Sequence, residues 1–146
     1  MSETKNKSVF IPKSFIDETL AVSPVSGKHS LEPFKSFAKE NKVPLEVIED
    51  TNVINGAELH RNMADLWFCL RGSAVFTVGG ELVNGSAKVL SDGKIDDNEW
   101  KAPSISGGKE IVLKEGDWLW IPAGEPHSHR AEKTARLAII KVPLKN

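Results

Sequence analysis

Two patches of this 146-residue chain carry side chains able to hold a metal or move a proton. One is Glu58-x-His60-x4-Asp65, and the other is His127. Glu58, His60 and Asn62 alternate, so on a strand they share one face. A carboxylate, an imidazole and an amide on one face make either a solvent face or a polar pocket. His127 follows the run Gly116-Asp117-Trp118-Leu119-Trp120-Ile121-Pro122-Ala123-Gly124-Glu125-Pro126. Pro122 fixes φ and removes a ladder donor, and Gly124 permits a positive φ. Such a break can aim the next imidazole into a cleft, or it can end a hairpin whose histidine faces water. If the patches meet inside a small barrel, two imidazoles and one or two carboxylates converge. That set suits a divalent transition metal such as Fe, Mn, Ni or Zn. Two histidines and one carboxylate leave coordination positions open, as Lewis-acid or oxygen chemistry requires. The plainer alternative is a hydrogen-bonded histidine pair in a polar barrel mouth.

The elements that must position these groups read as short strands. Leu45 and Val47, with Glu49, alternate on one face after Pro44 closes a helical stretch. Asn55-Gly56 is a turn signal. Ala57 to Asn62 reads as a strand, and Asp65 to Arg71 as another with both faces apolar, covered on both sides. Arg71-Gly72-Ser73 reads as a turn, Ala74 to Val78 as the returning strand, and Gly79-Gly80 as a further turn. Lys109 to Lys114, Trp118 to Ile121, His127 to Ala131 and Arg136 to Val142 add four more. Many short strands with Gly/Pro turns predict an all-β antiparallel sandwich or closed barrel over 45–146.

Two segments depart from that rhythm. Residues 83–109 are polar and punctuated by Asn84-Gly85, Asp92-Gly93 and Gly107-Gly108, predicting a long loop with a short strand at Val89-Leu90. Trp100 is expected to anchor this loop. Residues 1–30 show no sustained periodicity and predict an extended arm over the barrel or onto a second subunit, with His29 solvated. Leu31, Phe34, Phe37 and Ala38 predict a short amphipathic helix, with Pro33 in its first turn. The chain thus divides into an arm and helix over 1–44 and a barrel over 45–146.

Composition narrows the function classes. Nineteen basic residues against twenty acidic ones offer no field for nucleic acid or an anionic membrane. Cys69 is the sole cysteine, so no internal disulfide forms, and its apolar neighbours predict a buried small hydrophobe. No apolar run reaches membrane-spanning length. These features lead us to expect a soluble cytoplasmic protein.

Gly116-x5-Pro122-x-Gly124-x2-His127 resembles the second sequence motif of the cupin family. Asp65-x6-Gly72 resembles the end of the first motif, with Asp in place of Glu. His60 falls at that motif's second histidine and Glu58 at its first. Ala131 stands where the second motif carries asparagine, and Gly56 is displaced from the leading glycine position. The likeness spans residues 56–131. It implies an RmlC-like jelly-roll barrel, a double-stranded β-helix, to which the N-terminal residues add the extended arm read above from their lack of periodicity. It further implies that His60, Asp65 and His127 are metal ligands with Glu58 a possible fourth, and that the protein is a homodimer.

Around that set, alternation places His129 on the face of His127, Trp67 on that of Asp65 and Asn62 beyond His60, as candidate substrate-binding residues. Trp118 and Trp120 share a face and are expected in the core. Arg61 and Arg71 could hold an anionic substrate, although exposed charge is their simpler role. The expected function is a metal-binding small-molecule protein acting as a dioxygenase, isomerase or lyase on a small polar metabolite. A metal-free module binding a sugar or carboxylate is the second reading.

Overall fold

The computed structural model describes residues 7–144. In chain order the elements are α1 (Lys13–Thr19), β1 (Gly27–Ser30), α2 (Phe34–Glu40), β2 (Leu45–Ile54), β3 (Ala57–His60) and β4 (Met63–Val78). They continue with β5 (Glu81–Val83), β6 (Ser86–Val89), β7 (Ile95–Ala102), β8 (Ser104–Ser106), β9 (Lys109–Lys114), β10 (Trp118–Ile121) and β11 (His127–Pro143). All strand pairings are antiparallel, in the order β1-β2-β11-β3-β7-β6, with β4 joined to β11, β9 and β10. Strands β5 and β8 form a separate small pair. The fold is the expected all-β jelly-roll barrel. Its core packs Ile48, Trp67, Cys69, Phe76, Leu113, Ile121, Leu137 and Ile139. Cys69 is fully buried, as its neighbours predict.

The strand β11 is the spine of the barrel. Its first part pairs with β3 and the far half of β4, and its later part lies between β2 and the near half of β4. The two strands predicted over 127–142 are therefore one strand, bent by a bulge between Ala131 and Thr134. Strand β4 is likewise continuous through Arg71-Gly72-Ser73, which was expected to turn. Gly72 has φ +71, and a Cβ there would lie 2.1 Å from the Thr134 carbonyl oxygen. The glycine bends β4 beneath that bulge rather than reversing it, so β9 pairs with the half beyond Gly72 and β10 with the half before it.

The segment 83–109 is not one loop. It contains β6, β7 and β8, and β7 pairs with β3 from Ala57↔Ala102 to His60↔Glu99. Asp96, Asp97 and Asn98 are poor strand formers: Asp96 pairs with Lys88 of β6, while Asp97 and Asn98 sit where that pairing shifts register. Trp100 lies opposite Leu59, and its indole N–H donates to the Asp97 carbonyl at 2.8 Å.

The N-terminal segment also differs from an extended arm. Helix α1 docks Phe15 onto α2, with ring centroids 4.9 Å from Phe37 and 5.8 Å from Phe34. Helix α2 forms where the periodicity predicts it, burying Phe34 and Ala38. Strand β1 extends the sheet along β2. The two helices are too short to persist alone, and their shared apolar cluster with Leu31 and Val47 holds them. Glu49 and Arg136 fix the connection between α1 and β1. Arg136 Nε donates to Glu49 Oε1 at 2.9 Å, while its other nitrogens donate to the Leu20 and Val22 carbonyls. Glu49 also accepts the Val25 N–H at 3.0 Å. His29, expected in solvent, is half-buried and places Nε2 3.2 Å from Glu49.

Trp118 and Trp120, expected in the core, are 62% and 49% exposed. Strand β10 turns Leu119 and Ile121 inward, so alternation forces both indoles outward. Trp118 packs on Phe68 with ring centroids 4.3 Å apart.

Candidate metal centre

Three strands bring the polar side chains together. Strand β3 carries Glu58 and His60, β4 carries Asp65 and Trp67, and β11 carries His127 and His129. Each pair is two residues apart, so both members face the barrel interior. His60, Asp65, Trp67, His127 and His129 are all buried. Bringing these groups together depends on closure of the sheet, which faces the near half of β4, with Asp65, toward His127 at the start of β11.

The two imidazoles confront one another with centroids 5.0 Å apart. Asp65 Oδ2 lies 3.2 Å from His127 Nε2 and 3.7 Å from His60 Nε2. Glu58 Oε2 lies 3.4 Å from His60 Nε2. One donor atom each from Glu58, His60 and His127 falls within 4.8 Å of the others. On the far side of each ring, Nδ1 is held. His60 Nδ1 meets Glu99 Oε2 at 2.5 Å, and His127 Nδ1 donates to the Glu125 carbonyl at 3.0 Å. Those outer bonds turn both Nε2 atoms toward the shared space, as outer partners orient the histidines of metal sites.

The polar atoms here are not all satisfied. His60 Nε2 and Asp65 Oδ1 are buried with no hydrogen-bond partner. A buried polar group left unpaired costs about 1–3 kcal/mol. A divalent cation held by Glu58, His60 and His127 would satisfy the His60 nitrogen, with Asp65 Oδ2 facing both imidazoles, so the donor set fits a first-row metal.

The local field is strong. The adjacent His60 holds the Glu58 carboxyl down at about 2, against the opposing effect of burial. Glu58 first, then Glu99 and Asp65, raise the His60 pKa above 6.5, outweighing burial and Lys141, which lower it. Burial pushes Asp65 up, but His127, Lys141 and His60 outweigh it and hold the carboxyl below its ordinary value.

A layer deeper, His129 is packed against Trp67 and Phe76, with centroids 4.9 and 5.1 Å away. Its Nδ1 meets the fully buried Asp50 at 2.6 Å, beside Asn55. Trp67 and His129 line a cavity of about 240 Å³ together with Glu58, Asp65 and His127. Asn62 is not part of it. Strand β3 ends at His60, and Asn62 is exposed in the following bend, where its carbonyl accepts the Leu144 N–H. Arg61 and Arg71 also lie elsewhere. Arg61 stacks over Trp100 at 5.6 Å, and exposed Arg71 lies 3.7 Å from both Asp17 and Glu115.

Sequence reasoning missed Glu99, Asp50 and the cavity role of Asn55. Glu99 lay in the supposed loop. Reading Glu99 and Lys101 as alternate strand positions would have paired them with His60 and Glu58. Asp50 carried no signal, because it lies at the polar end of an apolar run.

No protein-family model matches the chain, and no curated protein does. Solved structures do. The Drosophila melanogaster CENP-C cupin domain aligns over 86% of this chain and 78% of its own, at 14% identity and TM-score 0.50. A predicted oxalate decarboxylase from Thermotoga maritima aligns over 80% and 79%, at 14% identity and TM-score 0.48. Iron(II) HppE aligns over 67% of this chain at 16% identity and TM-score 0.43, and the chain spans 42% of its length.

Proposed function

From a chain that folds as a cupin jelly roll, we propose a metal-binding protein that acts on a small polar metabolite. His60, His127, Asp65 and Glu58 are the ligands. The observation that carries this is the buried, unpartnered Nε2 of His60, turned by Glu99 toward two carboxylates and a second imidazole. Iron, manganese, nickel or zinc all suit the set. Such an ion would supply Lewis acidity, polarising an oxygen of the bound metabolite. The chain's own residues do the rest. Glu99 and the Glu125 carbonyl fix the two imidazole tautomers. Ile48, Trp67 and Ile139 give the otherwise polar cavity an apolar wall against which a metabolite can pack. Among the enzyme classes, dioxygenase, isomerase and lyase chemistry all suit an open coordination site.

Two further features complete the reading. A wholly apolar groove on the outer face, lined by residues such as Leu66, Phe68, Leu70 and Ile140, supports a homodimer. The single, buried, unpaired thiol is in keeping with the cytosol. No helix among the described residues is long and apolar enough to cross a membrane.

A second reading has its own support. Each Nε2 already has a carboxylate within 3.4 Å, so protons could serve where a cation would. The cavity would then bind a sugar or carboxylate without turnover. Metal analysis separates the two. A stoichiometric ion, lost in His60→Ala and His127→Ala, is the expected result. Protein that stays metal-free after supplementation, with both variants binding ligand like the parent, overturns the metal reading.

A further inference from the structure

We propose that the cavity takes an elongated small anion, with one oxygen on Trp67 Nε1 and a carboxylate or phosphate end held between Lys28 and Lys101. The inference deepens the metal-binding reading, on which it rests, by naming the ligand class. Trp67 is 4% exposed, its Nε1 has no hydrogen-bond partner, and it lines the inner chamber. An indole N–H can only donate. An unmet buried donor is unfavourable, so this wall is complete only when an acceptor oxygen reaches it.

The chamber is also not closed. Lys28, Asn55, Gly56 and Glu58 line both it and an adjoining cleft of about 450 Å³. The cleft adds Lys101, Asn84 and Ser86. Lys101 lies directly opposite Glu58 across the β3–β7 ladder, at the rim of the metal centre. Neither lysine has an ion-pair partner among the described residues, whereas Glu58 is engaged with His60. The outer cleft therefore offers two exposed lysines, of which Lys28 also acts on the Glu58 carboxyl, with amide and hydroxyl donors, and Trp67, whose buried indole N–H lacks a partner, borders the inner chamber. A ligand filling both has an acceptor oxygen inside and negative charge outside, and the two volumes suit a small metabolite.

Calorimetric titration of the zinc-loaded protein with glutarate, 3-phosphonopropionate and neutral glutaramide tests this. At least one dianion is expected to bind about tenfold more tightly than glutaramide, as one well-placed charge contact allows. The stronger of the two dianions identifies the carboxylate or the phosphate as the natural end. Lys101→Gln is expected to erase most of that margin with zinc stoichiometry intact. Trp67→Phe is expected to weaken all three compounds alike. Equal affinity for glutaramide, no saturable binding of any compound, or a margin unchanged in Lys101→Gln overturns the anion, whereas unchanged affinities in Trp67→Phe overturn the indole anchor. Zinc failing to bind overturns the metal reading instead, and the same titrations on metal-free protein still decide the ligand class.

Discussion

His60 and Glu99 are joined at 2.5 Å across the β3–β7 ladder, in register as direct partners. This contact ties the metal-type cluster to a strand whose sequence carries little sign of being one. Removing the Glu99 charge while keeping its shape should leave the fold intact and loosen the His60 ring. Glu99→Gln is expected to lower metal affinity about 10- to 100-fold, as loss of such outer partners does. Competition against a chelator measures it, and unchanged affinity would detach Glu99 from the site.

Proton release should accompany metal uptake. Glu58 first, then Glu99 and Asp65, keep a proton on His60 above the ordinary pKa of 6.5. A metal needs the neutral imidazole. Below the elevated pKa, apparent affinity should therefore climb about tenfold per pH unit for one released proton. Titration in buffers of differing ionisation enthalpy counts that proton directly.

Without metal, the same pair gives stability the opposite slope. The raised His60 pKa contributes stability that is complete below 6.5 and lost as pH rises through the folded value. The Glu58 contribution is present above its ordinary 4.5 and lost as pH falls toward about 2. Metal-free protein should thus be most resistant to denaturant in mildly acid solution. A monotonic rise in stability from pH 5 to 8 would contradict the pairing.

Arg136 and Glu49 form a buried pair. Burial pushes the Glu49 carboxyl up, but the Val25 N–H and Arg136 hold it below its ordinary value. Arg136→Met strands that carboxylate and frees the 20–25 segment, and should destabilise the protein by about 3–5 kcal/mol. Adding Glu49→Met should restore much of the loss. Urea unfolding of the single and double variants reads both effects.

Gly72→Ala tests the bend in β4. The added Cβ would meet the Thr134 carbonyl oxygen at 2.1 Å in a left-handed conformation. The strain should exceed about 1–3 kcal/mol, the usual range for an unfavourable backbone conformation alone. A variant as stable as the parent in thermal unfolding would mean that the bend has no need of glycine.

Much of the barrel was legible because alternation and Gly/Pro punctuation report which face of a strand is buried. Alternation put Glu58 and His60 on one face without saying whether it looked inward, and it was the motif spacing around Asp65 and His127 that joined the four residues. What escaped was set by tertiary pairing. Gly72 looks like a turn in sequence, since a left-handed glycine serves both a reversal and a bend, and only the Thr134 carbonyl decides between them. Strand β7 was hidden by its acidic run, and Glu99 with it. Helix α1 was hidden because Phe15 and Ile16 alone give no period until α2 offers them a surface. Asn62 was misplaced because β3 stops two residues earlier than alternation allows.

The placement of the indoles has a practical corollary. The chain has four tryptophans and no tyrosine, so its near-ultraviolet emission is essentially indole light. Trp118 and Trp120 are open to aqueous quenchers, Trp100 is half-buried, and Trp67 is the most shielded of the four, at the chamber wall. The blue, iodide-resistant fraction of the fluorescence is thus a native dye for whatever enters beside His127, readable without labelling.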